Sequence, residues 1–175
     1  MDNIKKILVP VGYLIKKIFL PIVCCILIGK YTQKPLIYLF GIKQLELDKL
    51  NVIFKTSTPI PNPFERTISI FTNALMEECM CRLPLILLTH YFGHHNIFSF
   101  GTSIIFSLAH LNRYNQLNNG IIKHNIDVNP KMAMVIWVTT TFFASFILNS
   151  VALDEENIVK STIVHFVYNK FWCNL

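Results

Sequence analysis

Apolar residues in this chain come in long runs, not in alternation. The first run covers residues 7–28, about 22 residues and enough for a helix to cross roughly 30 Å of hydrocarbon. Pro10 and Pro21 interrupt it, and Lys16 and Lys17 sit in its middle. A tilted span and a helix lying in the membrane surface both fit that pattern. Residues 30–66 read as a basic, Pro-containing connection, within which the apolar stretch 35–42 is too short to span. Residues 56–63 are dense in Thr and Pro. Proline removes backbone donors and disfavours helix, so this is a loop, with Asn62 or Pro63 preceding the next helix.

From residue 67 to residue 111 the only charged side chains are Glu77, Glu78 and Arg82. The stretch holds two spans, over 66–92 and 97–115, broken near Gly93-His94-His95-Asn96. A polar connection follows over 112–131, with Asn118-Asn119-Gly120 as a turn signal. A fourth helix runs over 131–153, without a charge after Lys131. Asp154-Glu155-Glu156 caps the start of a fifth, over 156–173, where acidic groups suit the helix dipole. The expected fold is all-α: a polytopic membrane helix bundle of about five membrane segments. Residues 1–65 supply an N-terminal segment and basic loop, and residues 66–175 supply the core.

Composition agrees. Hydrophobic residues make up 53%, charged residues 15%, and mean hydropathy is +0.46, whereas soluble domains run nearer a quarter charged. A disordered chain and a typical soluble enzyme are excluded. The net charge of +6 does not signal nucleic acid, because the lysines flank apolar runs, as membrane anchors do. Cys24, Cys25, Cys79, Cys81 and Cys173 are an odd set in apolar surroundings. They read as small hydrophobes, not as a disulfide scaffold or a metal site.

Against this background a few polar residues stand out. A charge at mid-bilayer costs at least about 2.5–3.5 kcal/mol. Glu78 and Arg82 are spaced i,i+4 on one helix face and can pair. Glu77 is turned about 100° away from that face and is left for other work, such as that of a general base. His110 is the central titratable residue of the third helix, with Phe106 one turn before it. His165 and Asn169 share a face of the fifth. Each cluster alone is explained as interhelical glue. Three converging in a dry bundle suit hydrolysis. His94 and His95 belong to a solvated turn, and His90 and His124 have no partner evident in sequence.

The strings Glu77-Glu78-Cys79-Met80-Cys81-Arg82, Phe106-Ser107-Leu108-Ala109-His110 and His165-Phe166-Val167-Tyr168-Asn169 occur in this order on three helices. They resemble the E-E-x-x-x-R, F-x-x-x-H and H-x-x-x-N motifs of the CPBP family of intramembrane proteases, which holds the CAAX-processing endoproteases and bacteriocin-processing or immunity proteins. The resemblance covers about residues 66–173. Family members often have Phe before the motif arginine and Gly after it, where this chain has Cys81 and Leu83. The resemblance implies an intramembrane endopeptidase acting on a lipidated or membrane-associated protein or peptide. Glu77 and His110 would activate water, His165 and Asn169 would stabilise the oxyanion, and Glu78, Arg82 and Phe106 would support them. No cofactor is expected. Were a metal to take part, Glu77, His110 and His165 would hold it, and zinc suits that set with a fourth position open for water. A non-catalytic membrane immunity or peptide-binding protein is the alternative. The apolar residues Phe106, Phe166, Phe171 and the 83–88 run are expected to line the site and admit a lipid from the bilayer.

Overall fold

A computed structural model of the chain describes residues 12–55, 62–154 and 156–172. Every regular element among them is helical. Helix α1 (Gly12–Leu39) contains one π-helical stretch, Ile15–Phe19. Then come α2 (Gln44–Lys55), α3 (Pro63–Phe92) and α4 (His95–Ala109). A 3-10 turn, His110–Arg113, joins α4 to α5 (Tyr114–Lys123). Helices α6 (Pro130–Asp154) and α7 (Ile158–Trp172) complete the order.

Helix α6 is the hub. It packs against α1, α4 and α7, while α3 lies along α7 and also touches α4. Its contacts with α1 and α7 are mainly apolar, with Ile22, Leu148, Val151 and Val164 buried together, and Lys17 and Thr32 of α1 add polar contacts to Asp154 and Thr140. Its contact with α4 is polar. Asn149 Nδ2 lies 2.8 Å from the Ser99 carbonyl and 2.9 Å from both the Thr102 and Ser103 hydroxyls. Ser99, Ser103 and Ser107 repeat every fourth residue and are buried. Small residues at that spacing let two backbones approach closely.

Local chemistry sets the ends of α3. The Asn62 side chain accepts a hydrogen bond from the Phe64 N–H at 2.9 Å, with Pro63 at the first helical position; both are favoured there. Gly93, at φ 76°, ends the helix in the left-handed conformation, which costs glycine little.

Among the described residues two helices, α1 and α6, are long and apolar enough to cross a bilayer. With 30 residues, α3 reaches about 45 Å but carries Glu77, Glu78 and Arg82. The 15-residue helices α4 and α7 reach only about 22 Å each, short of the roughly 30 Å of a hydrocarbon core.

Several sequence expectations are corrected. The first helix runs on to Leu39 through Pro35; of the expected run, residues 7–11 lie outside the described residues. The 30–66 stretch is not a simple connection, because it holds the end of α1 and all of α2. The loop expected over 56–63 lies outside the described residues for 56–61. The third helix stops at Ala109, short of residue 115. Asn118-Asn119-Gly120 is not a turn but part of α5. Tertiary packing overrides the local signal there: Leu117 and Ile121 are buried against Leu50 and Ile53 of α2 and against Ala133 and Met134. Nor do the acidic residues cap the last helix. Asn157 does so, its Oδ1 accepting from Val159 N at 2.9 Å. Asp154 instead ends α6 and pairs with Lys17, Glu156 lies 3.5 Å from His90, and Glu155 is outside the described residues. Of the cysteines, Cys25 is fully buried, Cys79 is exposed, and Cys173 is outside the described residues.

Helix α2 is tied to the α5–α6 connection by Glu46, which accepts from Lys49 Nζ at 2.8 Å and from Asp127 N–H at 2.9 Å. The lysine bond first, and the backbone donor second, hold its carboxyl below the usual range. Beside this contact α2 and α5 approach closely, and a Cβ at Gly120 would lie 2.6 Å from Ile53 Cγ2. Gly120→Ala gains about 1 kcal/mol of helix propensity but incurs an overpacking cost of about 1–3 kcal/mol. We predict net destabilisation in the Ile53 background and a favourable coupling with Ile53→Ala. Thermal unfolding of the four proteins of the cycle checks this; strictly additive effects would refute the close approach.

Candidate active site

The three motif helices bring their polar residues to one place. On α3, Glu78 and Arg82 are fully buried, as the i,i+4 spacing requires of one inward face. Arg82 Nε lies 3.6 Å from Glu78 Oε1. Each has a closer partner across the bundle. Arg82 donates to Ser145 Oγ on α6 at 2.8 Å, and its guanidinium lies 4.4 Å from the Phe106 ring centroid. His165 Nδ1, from α7, donates to Glu78 Oε1 at 2.8 Å. The buried ion pair is therefore a knot of four helices, joined by a cation–π contact.

Glu77 projects from the neighbouring face and is only partly buried. Its Oε2 is 3.4 Å from His165 Nε2, and its Oε1 is 4.0 Å from the Arg113 guanidinium. His165 thus stands between two adjacent carboxylates. Glu78 fixes which nitrogen faces inward, and Nε2 is turned toward Glu77. Such a clamp sets ring orientation.

His110 opens the 3-10 turn at the end of α4. Its Nδ1 donates to the Phe106 carbonyl at 2.8 Å. In the neutral ring that leaves Nε2 as the basic nitrogen. Phe106 is the shared wall, its ring 4.8 Å from the His110 ring and 6.2 Å from the His165 ring. The change from α to 3-10 geometry at His110 turns Arg113 back toward Glu77.

Asn169 sits one turn beyond His165 on α7 and is half-buried. Among the described residues no hydrogen bond joins it to the cluster. Glu77, His110 and His165 were weighed above as metal ligands; no trio of His, Cys, Asp or Glu suited to a metal ion occurs among the described residues. The expected apolar lining is corrected in part. Phe106 is central, but Phe166 packs edge-on against Phe71 at 5.5 Å. Leu85 and Ile86 are buried, while Leu83, Leu87 and Leu88 face outward, because a helical run cannot present every residue to one side. The Phe171 side chain lies outside the described residues.

Sequence reasoning missed three contributors. Ser145 lies in an uncharged helix with nothing to mark it. Trp137 touches both His110, at 6.4 Å, and Arg113, at 5.9 Å. Arg113 was assigned to a loop; only its i,i+3 relation to His110 hinted at a shared role.

The buried pair makes the cluster costly to cut. Removing one member of a buried pair costs about 3–5 kcal/mol, because the other is left uncompensated. We predict that loss for Arg82→Ala, and about 1–3 kcal/mol for Ser145→Ala, which strands a buried donor. Unfolding in detergent measures both; a neutral Arg82→Ala would contradict the buried pairing.

Residues 60–171 match the family described as type II CAAX prenyl endopeptidase Rce1-like. No curated protein and no solved structure matches the chain. The matched segment contains all three motif strings and every residue of the cluster just described. The chain therefore belongs to the Rce1-like family of type II CAAX prenyl endopeptidases, integral membrane hydrolases that process CAAX-bearing proteins.

Proposed function

We propose that this protein is a multi-pass intramembrane endopeptidase that hydrolyses a peptide bond near the lipidated C-terminus of a membrane-associated protein. Glu77 and His110 take a proton from a water molecule. The hydroxide attacks the scissile carbonyl carbon, and the resulting oxyanion accepts hydrogen bonds from His165 Nε2 and the Asn169 amide. In that role the His165 ring carries protons on both nitrogens, one toward Glu78 and one toward the substrate oxygen. Collapse of the intermediate breaks the C–N bond, and the proton passes to the leaving amine. Glu78 and Arg82 hold the ring and the helix in place. No step requires a metal, and we propose none.

One observation carries this reading: His165 is clamped between Glu78 and Glu77, with the His110 ring held at Nδ1 by the Phe106 carbonyl beside the Phe106 ring. A carboxylate and an imidazole suit general acid–base work, typically giving about 10²–10⁴ in rate. The outer surface supports the membrane setting. Met76, Met80, Leu83 and Leu87 on α3 and Phe100, Ile105 and Leu108 on α4 are exposed, an apolar patch that lipid would cover. On that basis the long helices α1, α3 and α6 cross the bilayer and the shorter α4 and α7 enter it, about five membrane segments together. Residues 66–175 are the catalytic core, and residues 1–65 add α1, which leans on α6, and α2, which packs on α5.

Cleavage of a prenylated reporter in liposomes tests the roles. Glu77→Ala and His110→Ala should each lower kcat by about 10²–10⁴, and a chelator should leave the wild type unchanged. Full turnover by either folded variant would refute the assignment. The unprenylated twin should be cleaved far more slowly, since a buried lipid chain contributes about 0.8 kcal/mol per CH₂. Equal rates for the twins would remove lateral entry of a lipid-bearing substrate.

A further inference from the structure

Next to the catalytic cluster, on the far side of Arg113, lies a cleft of about 180 Å³ between α2, α5 and α6. Its walls are Arg113, Gln116, Lys123, His124 and Trp137, with Ile53 among the apolar residues. Two of these side chains carry a permanent positive charge, a third is an imidazole, and no carboxylate lines the cleft. The cleft is continuous with the site. Arg113 reaches Glu77 on one side and lies over the Trp137 ring, and that ring also lies beside His110. Arg113 and Trp137 are therefore a boundary shared by the two.

We infer that this cleft binds the free C-terminal carboxylate of the substrate, and so measures the distance from the chain end to the cut. The inference rests on the endopeptidase reading above. In a CAAX terminus three residues follow the lipidated cysteine. A cut on the C-terminal side of that cysteine leaves the carboxylate at most three residues away, roughly 10 Å in extended chain. Arg113 closes the 3-10 turn just before α5 and Lys123 ends α5, about 15 Å of axial rise apart. Arg113 itself sits 4.0 Å from Glu77. A carboxylate about 10 Å from the cut thus falls within the span from Arg113 to Lys123 and His124. There the guanidinium, the ammonium and the Gln116 amide all supply donors, and charge-assisted bonds to carboxylate are the strong ones. The apolar wall beside Ile53 suits the aliphatic residues of the motif. Long-range attraction to a positive cleft would also orient the substrate with its chain end inward.

The test uses the full chain in a Trp172→Phe background, so that Trp137 is the fluorescent reporter of the cleft. A tripeptide of two aliphatic residues and a terminal serine is titrated as the free acid and as the C-terminal amide. The acid should bind about tenfold or more tightly. Lys123→Gln combined with His124→Gln should bring the two within about threefold, and Lys123→Arg should preserve the preference. Equal binding of acid and amide overturns the inference. So does a Trp137 response to phosphatidylglycerol vesicles with none to the tripeptide acid, which would make the cleft a lipid-headgroup site. Prenylated reporters ending in acid or amide separate this inference from the proposed reaction. A lower KM for the acid, lost in the Lys123 and His124 double variant with kcat kept, supports both. Acid-selective tripeptide binding without cleavage of either reporter supports the cleft and sinks the endopeptidase reading. Cleavage of both reporters with one KM sinks the cleft.

Discussion

A buried ion pair organises this molecule. Glu78 and Arg82 are one helical turn apart with no exposure to solvent, and an isolated charge in such a place is prohibitively costly. Their closest partners come from other helices: the His165 imidazole from α7, the Ser145 hydroxyl from α6, the Phe106 ring from α4. The pair therefore fixes the register of three helices against α3. A slip of α7 by one residue would carry His165 about 100° away and leave Glu78 without its donor.

That structural demand also shapes the chemistry. Because Glu78 occupies His165 Nδ1, the other nitrogen points to Glu77, the carboxylate on the neighbouring face. Because the Phe106 carbonyl occupies His110 Nδ1, that ring too presents Nε2. In both histidines the backbone or a buried carboxylate holds Nδ1 and leaves Nε2 as the other nitrogen. Glu77 differs from Glu78 in its surroundings. It is partly exposed, and its nearest partners are the His165 imidazole and the Arg113 guanidinium, the latter at the limit of ion pairing.

The bundle around the cluster is held by two kinds of contact. Helices α1, α6 and α7 meet mainly through apolar side chains, with the Lys17–Asp154 pair at one end of the α1–α6 contact. Helices α4 and α6 meet through Asn149 and the Ser99, Ser103 and Ser107 stripe, where hydrogen bonds set both rotation and depth. The polar contact lies on the helix that carries Phe106 and leads into His110.

The sequence by itself determined the long helices and their faces. Long apolar runs with three charges in the middle of one specified an all-helical, membrane-compatible fold. The i,i+4 spacings of Glu78 with Arg82 and of Phe106 with His110 put each pair on one side, because a helix has 3.6 residues per turn. Asn62, Pro63 and Gly93 marked the ends of α3 because capping is local. What lay beyond local chemistry was decided by tertiary structure. Asn118-Asn119-Gly120 became helix because burying Leu117 and Ile121 against α2 outweighs a turn preference. Asp154 and Glu156 left the cap of α7 to Asn157 because Lys17 and His90, far away in sequence, drew them elsewhere. Ser145, Trp137 and Arg113 joined the site only when α6 and the 3-10 turn were packed against α3. Spacing along one helix cannot reveal a partner on another; only the packing that buries Arg82 and Glu78 brings them into contact.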